Sequence, residues 1–251
     1  EQYRISENLT LSCEFAKNFI LGKVFNARWV IERVTRGHAL SVDCAKLKKV
    51  SAQLKGFIEL IKTCTSNAQL RGYEGEAASL YYSVFDDMIL QQKDQFIFNG
   101  RNRRPPMDKV NALLSFVYTL LAHNAASALE SVGLDPYVGF LHTDRPGRIS
   151  LALDLMEELR PIMADRFVLT LINKRIINAD GFVIRENGSV EMSDETKKII
   201  LTQWQIRRQE KIVHPFLGEK LEWGMVPYVQ ALLLARTIRN DLDAYPPFMW
   251  K

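Results

Sequence analysis

The chain has 251 residues, 47% hydrophobic and 25% charged, the proportions of a globular protein with a substantial core. Its net charge of +4 is too small to argue for nucleic acid alone, though it leaves room for local basic patches. Cys13, Cys44 and Cys64 lack metal-ligand spacing, and their odd count argues against a disulfide framework and fits reduced, buried thiols in a cytoplasmic protein. No signal peptide is visible, and no apolar run reads as long enough to span a bilayer. The first residue is Glu1 rather than Met, so a fragment is expected.

A 3.6-residue hydrophobic period predicts helices near 11–35, 43–64, 67–91, 107–132, 150–176, 194–210 and 225–242. Asn67 is a candidate cap for the third helix, and Asp108, after Pro105-Pro106, for the fourth. Ser193 followed by Asp194 and Glu195 signals the start of the sixth, because acids favour a helix N-terminus. The pattern breaks at 181–192, which reads as a short β-hairpin turning at Asn187-Gly188. Segments 92–106 and 211–224 are punctuated, but neither has the composition of a linker. The expectation is a mainly α protein, one helical domain over 1–251 with a single short hairpin.

On a wheel of about 100° per residue, Leu70, Tyr73, Ala77, Leu80, Tyr81, Val84, Phe85 and Met88 form one apolar stripe. Glu74 falls at its edge, whereas Glu76 lies on the solvated side. A carboxylate facing protein is costly unless paired or ligating. Gly72 and Gly75 flank it and leave room for a backbone or a phosphate. Asp154 and Glu157 stand one turn apart on another helix, with Glu158 making three acids in five residues. A cation relieves such a cluster, but spacing alone leaves Glu157 and Glu158 tied as the second ligand. His142 sits in a Gly- and Pro-bounded loop just upstream. Carboxylates with one imidazole suit a hard divalent cation of the kind that phosphodiester chemistry uses. The competing reading makes each acid a salt-bridge partner or a solvated surface charge.

Arg101-Asn102-Arg103-Arg104 before two prolines suits phosphate contacts, with Phe96 and Phe98 nearby for packing or base stacking. Lys46, Lys48 and Lys49 read as solvated surface, and Arg207-Arg208, Arg236 and Arg239 as accessory basic positions. The Pro246–Trp250 segment reads as a tail packed on its own domain in preference to a docking peptide.

Four segments, 16–28, 71–78, 103–116 and 139–161, carry a resemblance over the whole chain. It resembles the CRISPR-associated integrase and endonuclease of spacer acquisition, the Cas-one family, and most nearly its type I-C branch. The resemblance implies metal ligands at Glu74, His142 and Glu157, with Asp154 adjacent as a catalytic acid helping to place a metal or water. That breaks the tie in favour of Glu157. It implies Mn²⁺ or Mg²⁺ as cofactor, and double-stranded and branched DNA as substrate, with Arg101, Arg103 and Arg104 as candidate DNA contacts. It further implies a homodimer, a Cas-two adaptor dimer, a Cas-four end-trimming nuclease and no membrane. Family members open with a small β-rich domain that nothing here matches, so residues 1–10 are expected to be a linker from it. The implied activity is insertion of short DNA spacers into a CRISPR array. The alternatives are a branched-DNA nuclease that does not join strands and a non-catalytic DNA-binding scaffold.

Overall fold

The computed structural model describes every residue except Arg103 and Asp144. Nine helices lie among the described residues, running α1 (Gln2–Glu7), α2 (Leu9–Gly37), α3 (Cys44–Lys62), α4 (Asn67–Tyr82) and α5 (Lys109–Ser131). They continue with α6 (Ser150–Leu159), α7 (Arg166–Asn173), α8 (Asp194–Gln209) and α9 (Val226–Ile238). Two antiparallel hairpins complete the fold, β1 (Phe182–Ile184) with β2 (Val190–Met192), and β3 (Lys211–Val213) with β4 (Lys220–Glu222).

The first hairpin stands where the sequence puts it, with Gly188 at φ +79° in its turn. The second was not expected. Its strands have three residues each and only Ile212 is buried, too short an alternation to register as a period. Further differences are local. Ser66, not Asn67, caps α4, its hydroxyl accepting from Gln69 N, while the Asn67 amide donates to Phe140 O at 2.8 Å. The expected 150–176 helix is interrupted by a π-helical turn at Arg160–Asp165. Pro161 has no N–H to give the regular ladder, and a π turn absorbs the mismatch. Asp108 and Ser193 cap α5 and α8 as their spacing predicts.

α2 is the axis of the fold and packs against α3, α4 and α6. Its buried face carries Ala16, Phe19, Ile20, Val24, Ala27 and Ile31, but also polar residues, Lys23 and Asn26 among them. α5 is, by length and composition alone, apolar enough to cross a membrane, contrary to the expectation that no run is. Its apolarity is that of a core helix: Leu113, Leu114, Val117, Leu121 and Leu129 are fully buried, and it packs against α6 and α9. Residues 2–7, inside the segment expected as a linker, form α1, where the Gln2 side chain exchanges hydrogen bonds with the backbone of Asp135 and donates to Val138 O.

After α9 the chain returns as a strap between α2 and α6. Asn26 donates to Phe248 O at 2.6 Å and accepts from Trp250 N at 3.0 Å. Phe248 and Tyr245 are buried, so the tail packs on its own domain.

Candidate active site

Three acids of α6 diverge because each residue turns the helix by about 100°. Asp154 faces the loop before α6. One of its oxygens accepts from Phe140 N and Leu141 N at 2.6 and 2.9 Å. The other takes His142 N at 3.0 Å and His142 Nδ1 at 2.6 Å. A fully buried carboxylate with four protein donors holds a loop and an imidazole. Through these bonds Asp154 positions the His142 ring and the 140–142 backbone. Gly139 completes this packing, since a Cβ there would meet Ser150 Cβ at 2.8 Å and Asp154 Oδ2 at 3.0 Å.

Glu157, one turn further on and about 60° round the helix, meets other partners. Arg160 reaches its Oε1 at 2.8 Å and the Lys23 ammonium its Oε2 at 2.7 Å. Burial opposes ionisation, but Arg160, Lys23 and His142 outweigh it and hold the Glu157 carboxyl down at about 2. The same Lys23 ammonium bonds Glu74 Oε1, so one cation bridges carboxylates from α4 and α6. Glu74 keeps 27% of its side chain exposed, while Glu76 is outside the cluster and exposed. Glu158 faces a third group of donors. Tyr245 Oη and Gln230 Nε2 bond its Oε1, and Phe248 N its Oε2 at 2.7 Å. Burial raises its carboxyl to about 7, with these three donors opposing the rise.

Glu74 opens onto a cleft of about 690 Å³ lined by Gly75, Tyr82, Phe98, Gly100 and Arg101. Gly72 and Gly75 have nothing within 4 Å of where a Cβ would lie, so this face of α4 is open to a ligand backbone. Arg101 stands on the cleft wall, but its guanidinium donates inward to Asn111, Ser115 and the Asn102 carbonyl. Arg104 is exposed, and Arg103 lies outside the described residues. Phe96 and Phe98 are core residues, so of the two roles open to them the structure shows packing.

Lys23 and Arg160 are the site groups that sequence reasoning missed. Lys23 had a readable signal: it falls on the apolar face of α2 between Phe19 and Ala27, where an unpaired ammonium is too costly to keep. Beyond Arg160 the buried chain continues through Tyr118, which donates to Asp165 and bonds Tyr82 Oη at 2.7 Å. Burial lifts the Asp165 carboxyl to about 6, against the hydrogen bond from Tyr118 and the charge of Arg160.

The donor chemistry fits a hard divalent cation. Two carboxylates already share one positive charge, and a ring that gives Nδ1–H to a carboxylate presents its Nε2 lone pair, the usual arrangement of a ligating histidine. Among the described residues no three His, Cys, Asp or Glu side chains converge closely enough to hold an ion, so the set is not closed around a centre.

Comparison with known proteins bears on this geometry. The family model for CRISPR associated protein Cas1 matches residues 1–206. The CRISPR-associated endonuclease Cas1 1 of Chlorobaculum tepidum is 50% identical over 250 residues, covering all of this chain and 73% of its own length. The CRISPR-associated endonuclease Cas1 of Leptospira interrogans is 42% identical over 250 residues, covering all of this chain and 98% of its own. A CRISPR-associated exonuclease Cas4/endonuclease Cas1 fusion of Rhodospirillum rubrum is 35% identical over 98% of this chain and 42% of its own. Among solved structures, a casposase bound to integration product superposes with a TM-score of 0.86 at 24% identity, over all of this chain and 67% of the other. A chain of a Cas6-RT-Cas1--Cas2 complex gives 0.83 at 23% identity, over all of this chain and 26% of the other. The structural matches show the same fold, and the family match with the sequence identities shows that this chain belongs to the Cas1 family.

Proposed function

We propose that this chain is a metal-dependent DNA endonuclease and strand transferase that inserts short duplexes into a CRISPR array. The observation that carries the reading is the meeting of Glu74 and Glu157 on one cation, with Glu74 lining an open cleft and Glu157 within electrostatic reach of an Asp-backed histidine. Glu74, Glu157 and His142 Nε2 would hold Mn²⁺ or Mg²⁺, which supplies charge neutralisation at a phosphodiester and a lower pKa for the attacking hydroxyl. The mixed oxygen and nitrogen donors lean towards Mn²⁺.

The residues of the chain itself do the rest. Asp154 fixes the His142 ring and the 140–142 backbone. Arg160 keeps Glu157 ionised. Lys23 balances the two carboxylates until another cation competes for them. In strand transfer, the 3′-oxygen of the incoming duplex forms a bond to a repeat phosphorus. The repeat's own P–O3′ bond breaks, and the proton lost by the attacking hydroxyl is matched by the one the leaving oxygen gains. With water as nucleophile the same site hydrolyses.

The fusion and the complex among its relatives favour a Cas4-type nuclease and a Cas2-type adaptor as partners. A homodimer working on double-stranded and branched DNA in the cytoplasm completes the reading. Glu74→Ala is expected to abolish cleavage and strand transfer while duplex binding persists. Full activity in that variant sinks the assignment. A branched-DNA nuclease that does not join strands is separated by blocking the 3′ ends of the incoming DNA: joining stops and hydrolysis continues if both activities exist.

A further inference from the structure

About ten residues further along α2 lies a polar cluster that the proposed reaction does not use. Arg33 on α2 and Arg166 at the start of α7 stack on one ring, their guanidiniums 3.9 and 5.1 Å from the Trp250 centroid. Arg207 on α8 lies 5.1 Å from the centre of Trp223, whose ring meets Trp250 edge-on at 5.0 Å. All three arginines are half-buried. Arg33 Nε and Arg166 Nη1 are buried without a hydrogen-bond partner. Among the described residues neither arginine forms an ion pair, and the acid that reaches the cluster, Glu210, is already paired with Arg207. Burial, then Arg207 and Arg33, hold Arg166 down at about 10. Burial, then Arg36 and Arg207, lower Arg33.

Half-buried guanidiniums that repel one another and keep unused donors are unfavourable unless an oxyanion joins them. Each guanidinium lies over an aromatic ring, and its forked donors match the geometry of phosphate. We propose that Arg33, Arg166 and Arg207, held on Trp250 and Trp223, form a second phosphate site that takes a backbone phosphate of bound duplex DNA. The proposal rests on reading this chain as a DNA-handling enzyme.

Position favours DNA over an acidic peptide. Lys23 to Arg33 is ten residues of α2, about 15 Å at 1.5 Å per residue. At about 3.4 Å per nucleotide along a strand, that is roughly four nucleotides from the carboxylates. Ten residues also turn the helix by about 80° from the starting face, so the cluster extends the track around α2 and does not open into the Glu74 cleft.

The test is the salt dependence of duplex binding, measured with a fluorescent duplex of about 30 base pairs. Removing one phosphate-binding charge lowers the slope of log K against log salt by about 0.9. Arg33→Gln/Arg166→Gln is expected to lower the slope by one to two such steps and weaken binding about tenfold at low salt. Arg185→Gln, an exposed arginine paired with Glu191, is expected to leave the slope within error. Arg166→Lys keeps the charge and loses the fork. It is expected to weaken binding with the slope retained, which preserves the test if the double variant misfolds. Wild-type binding with an unchanged slope in the double variant, checked as folded by its melting transition, overturns the site alone. Wild-type failure to bind duplex overturns the parent reading with it. If inorganic phosphate or pyrophosphate stabilises wild type but not the variant while duplex binding is equal, the site serves a small anion and the DNA assignment falls. If instead a polyglutamate peptide binds wild type and not the variant with equal duplex binding, an acidic partner replaces DNA.

Discussion

Replacing Lys23 with Met keeps the length of the side chain and deletes the charge that joins Glu74 to Glu157. Removing one partner of a buried ion pair typically costs ~3–5 kcal/mol, because the other charge is left uncompensated. Here the loss is smaller. Glu157 keeps Arg160 at 2.8 Å, and Glu74 is 27% exposed and recovers water. An expected loss of ~2–3 kcal/mol corresponds to a melting temperature lower by roughly 4–12 °C for a chain of this size. The assay is thermal unfolding by circular dichroism with and without Mn²⁺. A ligand at a hundred times its Kd returns ~2.7 kcal/mol, and without the ammonium as competitor the same Mn²⁺ acts at lower concentration. The variant is therefore expected to melt below wild type in chelator and to regain most of the difference in Mn²⁺. Two outcomes refute the reasoning: no loss in chelator, or equal Mn²⁺ responses in both proteins. The second means that the ammonium does not occupy the place of a cation. Pairing the change with Glu157→Gln in a double-mutant cycle should reveal a coupling on the order of 0.5–3 kcal/mol.

Asp154→Asn keeps the shape of the loop anchor but weakens its hold on the His142 ring. A roughly 10–100-fold drop in metal-dependent cleavage is expected, with duplex affinity unchanged, and an unchanged rate would show that the anchor has no part in the chemistry. Asp165 titrates at about 6 in the fold against 3.8 in its unperturbed state. A raised folded pKa contributes stability below the unfolded value and loses it as pH rises through about 6, so ionised Asp165 costs ~3 kcal/mol at neutral pH. Asp165→Asn, still able to accept from Tyr118, is expected to stabilise most above pH 6 and to lose that advantage towards pH 4, read from denaturant melts across the range. A pH-independent difference would mean that Asp165 does not titrate there. At Gly22 an added Cβ would meet Glu158 Cβ at 2.7 Å. Gly22→Ala is therefore expected to lose ~1–3 kcal/mol through overpacking, visible as a lower melting temperature, and an unaltered melt would show that α2 and α6 separate easily.

Period and caps carried most of the helical architecture because α2, α4, α5 and α8 each bury one continuous stripe of side chains. The second hairpin escaped since three-residue strands that bury one side chain leave no periodicity. At the site, the inward position of Glu74 was legible from its wheel position alone. The choice between Glu157 and Glu158 was not, because it depends on what each meets, Lys23 and Arg160 for one and the returning strap for the other. The acid cluster suggested mutual repulsion, whereas in the fold its members face three separate sets of donors. Arg207 shows the converse limit: read only as an accessory basic position, it gains its setting from Trp223 and from arginines on two other helices.

The strap also sets an order of events during synthesis. Asn26 waits 222 residues for Phe248 O and 224 for Trp250 N. Glu158 has neither Tyr245 nor the Phe248 amide until residues 245–248 have cleared the ribosome. Closure over such separations comes late, after the local helices. A nascent chain stopped short of Tyr245 therefore holds a carboxylate one residue from Glu157 with two of its three donors missing. The surroundings of Glu158, and with them the packing of α6 beside Glu157, are thus complete only when the last residues of the chain are in place.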